Sequence, residues 1–165
     1  MKTLIQQLGT YAAYHRDRRN VMTHFVGIPM IVLAATILLS RLGIDVGGWF
    51  VSAALAAAVV LTVYYLRLDL RYGVAMGVFL AICLAIAAPV AQSGRMAWLI
   101  WGIGLFVLGW IIQFVGHIFE GRKPAFFDDL MGLAIGPLFV VAEAGFLLGL
   151  RKDVETEISS AAPGN

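Results

Sequence analysis

Five long apolar stretches, separated by short polar breaks, set the pattern of this chain: Phe25–Ser40, Trp49–Leu66, Tyr72–Ala91, Ala97–Phe119 and Leu130–Leu150. A helix that crosses the hydrocarbon of a bilayer needs about twenty apolar residues, within a range of roughly 17–25. The pattern therefore predicts an all-α, polytopic membrane helix bundle with four to five spanning segments. The first stretch is short and borrows Val21–His24 at its start. The fifth is interrupted by Gly132, Gly136, Pro137 and Glu143. It is expected to be broken or re-entrant, which a membrane tolerates only where protein covers the backbone. Short connections make the bundle antiparallel. Residues 1–150 are read as one membrane-embedded catalytic domain, and residues 151–165 as a disordered polar tail.

Composition supports the lipid solvent. Hydrophobic residues make up 61% of the chain and charged residues 13%, where a soluble domain carries about 25% charged. The twelve Lys and Arg residues sit in the breaks and form no basic face, which argues against a nucleic-acid partner. Cys83 is the single cysteine, so neither a disulfide framework nor a cysteine metal site is available. The polar N-terminal residues that precede the first apolar stretch do not read as a cleaved signal peptide.

Positive charge orients the bundle. With the N-terminus inside, Lys2, Arg16, Arg18, Arg19, Arg67, Arg71, Arg122 and Lys123 lie inside, against Arg41, Arg95, Arg151 and Lys152 outside. That count assumes five crossings. It places Trp49, Trp98 and Trp101 at the outer interface and Tyr64, Tyr65 and Tyr72 at the inner one. The pairs Gly73/Gly77, Gly132/Gly136 and Gly145/Gly149 have the spacing of membrane helix dimers, although close packing within the chain is the commoner use.

The chain has three histidines, and this topology brings all three to one membrane interface. His15 and His24 lie in the run from Tyr11 to His24, and His117 ends the fourth stretch. Asn20 and His24 share a helix face, as do Tyr11 and His15, while His117 and Glu120 are three residues apart. His15 and His24 would face opposite sides of a straight helix, so sharing one metal requires a bend, here expected near Asn20. Imidazole suits Zn, Cu, Fe and Ni, and mixed His/carboxylate sets with open positions are typical of non-haem Fe(II) chemistry. The competing reading is of interfacial polar residues that bond backbone or headgroups. Gln113 is either a support for the site or a helix-packing hydrogen bond. Glu143 joins the site only if Gly136-Pro137 folds the fifth segment back. Asp128 and Asp129 read as charges at the start of its helix.

The stretch Tyr14-His15…Asn20…His24-Phe-Val-Gly-Ile-Pro29, with Gln113-Phe-Val-Gly-His117-Ile-Phe-Glu120-Gly-Arg-Lys-Pro124, resembles the membrane 2-hydroxy-fatty-acid dioxygenases, whose fungal member acts in phytosphingosine breakdown. The resemblance runs from about residue 5 to residue 150 and extends to the Pro137…Glu143 segment. It implies Fe(2+)-dependent α-oxidation, in which O2 shortens a lipid-like 2-hydroxy acid by one carbon. It also implies His15, His24 and His117 as iron ligands, with Glu120 a fourth ligand or a supporting carboxylate, and Glu143 less securely. Arg122 or Lys123 would pair with the substrate carboxylate, beside Asn20 and Tyr14. A bacterial inner membrane is the expected location, with the N-terminus and site facing the cytoplasm. Two other functions compete: a zinc-dependent membrane hydrolase, which lacks a His-Glu-x-x-His signature here, and a small transporter or proton-relay protein using His117 and Glu143.

Overall fold

In the computed structural model, which describes residues 2–121 and 131–161, the polar breaks become helix caps. Thr3 forms a capping box with Gln6 at the head of α1 (Leu4–Ala12), satisfying amides that the first turn leaves open. Asp17 caps α2 (Arg18–Leu39) by accepting from the Arg19 amide. Ser52 and Asp69 cap α3 (Ala53–Leu68) and α4 (Leu70–Gln92) in the same way. Helix α5 (Arg95–Glu120) ends on Gly121, whose φ of 67° closes the last turn in a conformation that costs glycine nothing. Helices α6 (Met131–Leu147) and α7 (Lys152–Ala161) complete the chain.

The second apolar stretch does not begin as a helix. Gly43–Val46 (β1) and Trp49–Ser52 (β2) pair antiparallel, with Val46 opposite Trp49. Gly47 and Gly48, with φ of 59° and 87°, supply the two positive-φ positions that a tight hairpin requires. Helix α3 is left with 16 residues, while α2, α4 and α5 have 22, 23 and 26 and are long and apolar enough to cross a bilayer.

The tightest seam joins α2 to α5, and glycine explains it. Gly102, Gly109 and Gly116 recur every seventh residue along one face of α5. A Cβ added at them would collide with Leu38, Ile31 and Thr23 of α2 respectively. Small residues at such positions let two backbones approach, which in lipid is what holds helices together. The glycine pairs with dimer spacing also serve packing within the chain: Gly73 lies against Leu66, Gly77 against Thr62, and Gly136 against Tyr11 and Ile28. At one end of the bundle, Arg41 donates to the carbonyls of Ala91 and Ser93, and Trp98 Nε1 donates to Ile37 O. This end carries the hairpin. At the other, Gln7 donates to Tyr64 Oη, and the neighbouring Tyr65 reaches inward to donate to Ala134 O in the first turn of α6.

The path of the fifth stretch follows from these contacts. Helix α5 ends at Glu120, beside residues 16–20 at the start of α2. Helix α6 runs without a break through Gly136 and Pro137, so the expected fold-back at that pair does not occur. Its first turns lie deep, where Leu133 shares a cleft with Ile31, Val32 and Trp110. Further along, Phe139 touches Tyr11 and His15. Beyond its end the chain turns by 114° into α7, and Arg151 makes a two-pronged ion pair with Asp69, 3.0 and 3.1 Å, at the α3–α4 corner. Glu120 and Arg151 therefore share one face. Helices α2, α4 and α5 are the long candidate spans, α3 is a shorter apolar helix, and α6 with α7 forms the bent pair.

Arg151 and Lys152, expected on the opposite side, lie on the site face. The tail expected to be disordered is helical over its described part: Asp153 and Glu155 sit in the favourable first turn of α7. Val154 and Ile158, four residues apart, pack into the apolar cluster that contains Leu4 and Leu8 of α1.

Candidate metal centre

Three buried histidines from three elements meet under the site face. His15 comes from the α1–α2 connection, His24 from the second turn of α2, and His117 from the last turn of α5. Ring centroids are 4.4 Å apart for His15–His24, 5.1 Å for His15–His117 and 5.2 Å for His24–His117. One ring nitrogen from each lies within 4.8 Å of the others. The bend that makes this possible falls at residues 13–17, between α1 and α2, and not at Asn20, which is helical.

Two of the rings are aimed by backbone. His15 Nδ1 lies 2.7 Å from Tyr11 O, and His24 Nδ1 lies 2.8 Å from Asn20 O. A carbonyl can only accept, so Nδ1 carries the hydrogen in both rings and Nε2 keeps its lone pair. Outer hydrogen bonds of this kind fix the tautomer of metal-binding imidazoles. His15 Nε2 is buried with no hydrogen-bond partner. Burial pushes the His15 imidazole down to about 4, against the pull of its bond to Tyr11, so the ring is neutral at physiological pH. The three histidines could hold a metal ion, since each offers one ring nitrogen to a common point and imidazole nitrogen is a ligand such a site uses.

Glu120 does a different job from His117, although the two are three residues apart. Its Oε1 accepts from the Arg16 amide, 2.9 Å, and its Oε2 from the Asp17 amide, 2.9 Å, and from Asn20 Nδ2, 3.0 Å. The carboxylate thus sits on the exposed amides at the head of α2, where negative charge is favoured. It lies outside the cluster of ligand nitrogens. Asn20 is fully buried. Its side-chain Nδ2 donates to Glu120, its backbone carbonyl accepts from His24 and Thr23, and its side-chain Oδ1 is buried without a hydrogen-bond partner. Tyr14 lies in the α1–α2 connection, but the aromatic ring on the histidines is Tyr11, stacked on His15 at 4.2 Å and 7°. The i, i+4 relation of Tyr11 to His15 is the signal that marks it.

Glu143 falls outside the cluster too. It is half-buried on α6, one turn beyond Phe139 and within electrostatic range of Glu155 and Tyr72. Arg122, Lys123, Asp128 and Asp129 lie outside the described residues.

An apolar cleft opens from the cluster toward the middle of the bundle and encloses about 60 Å³, room for several water-sized groups. Helix α2 contributes His24, Ile28, Ile31 and Val32, α5 contributes Trp110, Gln113 and His117, and α6 contributes Gly132, Leu133, Gly136 and Pro137, with Tyr11 at the side. Along α2 this stripe spans eight residues, or about 12 Å. Sequence spacing did not reveal Leu133 or Phe139 here, because their approach depends on the return path of α6.

No solved structure matches the chain. A curated relative, 2-hydroxy-palmitic acid dioxygenase MPO1 of Saccharomyces cerevisiae, is 34% identical over 150 residues, covering 88% of this chain and 82% of the relative. The model of the family described as 2-hydroxy-palmitic acid dioxygenase Mpo1-like matches residues 1–147, a range that contains all three histidines, Glu120 and α6. On both grounds the chain belongs to the Mpo1-like family.

Proposed function

We propose that this protein is an integral-membrane, Fe(2+)-dependent dioxygenase that shortens a 2-hydroxy fatty acid by one carbon. The carrying observation is three buried imidazoles, two of them aimed by backbone carbonyls, at the head of an apolar cleft inside a membrane bundle. The relative's name supports the substrate class. With one O2, the balance for RCH(OH)COOH is RCOOH, CO2 and water.

His15, His24 and His117 would hold the iron. Iron bound by three nitrogens retains open positions and supplies the redox chemistry that O2 requires. The remaining work belongs to the chain. Backbone carbonyls of Tyr11 and Asn20 keep Nδ1 protonated on His15 and His24. Glu120 and Asn20 fix the turn that carries His15 against the helix that carries His24. The cleft excludes water and accepts the first carbons of the acyl chain, whose remainder extends past Ile31 and Leu133 into the bilayer. Arg122 or Lys123 pairs with the carboxylate.

Orientation belongs to the same reading. Among the described residues, Lys2, Arg16, Arg18, Arg19, Arg67, Arg71, Arg151 and Lys152 lie at the site face, against Arg41 and Arg95 at the hairpin face. By the positive-inside bias, the site faces the cytoplasm, in a bacterial inner membrane.

Detergent-purified protein given 2-hydroxypalmitate should consume O2 and yield the fifteen-carbon acid, read by mass spectrometry. Chelation should abolish this and Fe(2+) should restore it. Shortening that persists without O2, or that zinc restores, would sink the proposal.

A further inference from the structure

Gln113 is buried to 4% exposure in the middle of the α2–α5 seam, yet neither Nε2 nor Oε1 of its amide has a hydrogen-bond partner. A polar side chain left this way within a membrane bundle is costly, and buried amides are almost always satisfied. Helix-to-helix bonding would be the ordinary explanation, but the amide makes no bond to α2. Instead α2 makes room for it: a Cβ at Gly27 would lie 2.8 Å from Gln113 Nε2 and 3.0 Å from Gly109 O. The amide lines the same cleft as His24 and His117. Gln113 is four residues from His117 on α5, so it stands about 6 Å deeper along the axis, on the apolar side of the cluster.

We infer that Gln113 is a specificity-determining residue that reads the 2-hydroxyl of the substrate. The inference rests on the dioxygenase reading above and adds the group that selects a hydroxylated acid over a plain one. An amide offers both a donor and an acceptor. A hydroxyl beside the carboxylate matches both: its proton goes to Oε1, and its oxygen or a carboxylate oxygen takes the Nε2–H. The carboxylate of an unsubstituted fatty acid has no proton to give, so Oε1 stays buried and unpaired. A site built around a polar group penalises the analogue that lacks it for this reason. Asn20 Nδ2 is engaged with Glu120 and the Nδ1 atoms of His15 and His24 with carbonyls. Asn20 Oδ1 and His15 Nε2 are unpaired as well, but neither residue lines the cleft, and the His15 nitrogen belongs to the metal-ligand cluster.

The test is equilibrium binding of 2-hydroxypalmitate and of palmitate to iron-loaded protein in detergent under argon, where no turnover occurs. Wild type and Gln113→Met are compared, methionine keeping length and apolar bulk without the amide. In the variant, 2-hydroxypalmitate should bind about tenfold more weakly, as for loss of one or two hydrogen bonds. Palmitate affinity should stay within about twofold and iron content should be unchanged. A variant that keeps the wild-type ratio of the two affinities overturns the inference and leaves the dioxygenase reading standing. Loss of iron or of palmitate binding in the variant overturns it by showing a structural role. A wild type that fails to prefer 2-hydroxypalmitate overturns both readings together.

Discussion

Glu120, at the last turn of α5, accepts a 3.0 Å hydrogen bond from Asn20, a hundred residues earlier in the chain, and bonds the amides of Arg16 and Asp17 with the same carboxylate. The group clamps the connection that carries His15 to the helix that carries His24. Hydrogen bonds to a charged partner are each worth roughly 1.5–3 kcal/mol. Glu120→Ala should therefore destabilise the protein by a few kcal/mol and weaken metal binding about 10–100-fold, as for supporting groups in general. At saturating iron the stoichiometry should remain at wild type. Thermal unfolding and metal titration distinguish this from a ligand's role, which would abolish stoichiometric binding.

His15→Ala, His24→Ala and His117→Ala each remove one member of the cluster. Each should lower bound iron to background, measured by elemental analysis of detergent-purified protein, while helical circular dichroism stays near wild type. Iron retained at full stoichiometry in any one of them would exclude that residue as a ligand.

Gly116→Ala drives a methyl group into Thr23 and to 2.6 Å from Asn20 Oδ1. Forced overpacking of this kind costs about 1–3 kcal/mol, and here the strain falls between His24 and His117. Lower thermal stability and weaker iron affinity should appear together. Gly104→Ala on the same helix, where nothing lies within 4 Å, should match wild type in both.

Asp69 sets a pH limit on the end of α6. Burial raises its carboxyl, but the hydrogen bonds and charge of Arg151, together with the Tyr72 and Arg71 amides, outweigh that and hold it below the usual carboxylate range. A folded-state pKa below the unfolded value of about 3.9 gives stability that is complete above that value and is lost as pH falls through the folded one. Proteolysis or hydrogen exchange of residues 148–161 should therefore speed up below about pH 4. Asp69→Asn should produce the same opening at neutral pH.

How much of this was legible in the sequence depended on the distance over which each residue acts. The helices were legible because hydropathy is local, and the histidine cluster because a rare residue type recurred at one membrane depth. The clamp was not: the His117–Glu120 spacing suggests two groups aimed at one centre, whereas the carboxylate reaches amides about a hundred residues away. Nor was the depth of α6, since Leu130–Leu150 is long enough to cross and composition cannot say whether it does. The α7 helix rests on a two-residue stripe, Val154 and Ile158, too short to stand out from polar neighbours. The Gly102-Gly109-Gly116 row has heptad spacing and could have been found by a search wider than three-residue gaps.

With the site face in the cytoplasm, as proposed above, little of the described protein would have to be carried through the bilayer during insertion, since Glu120 and Arg151 lie on one face. The far side receives a short hairpin and the Ser93-Gly94 corner, with Arg41, Asp45 and Arg95 as the charged residues there. In that orientation the three histidines and their supporting groups would stay in the compartment where the chain is synthesised, and a metal would reach them there.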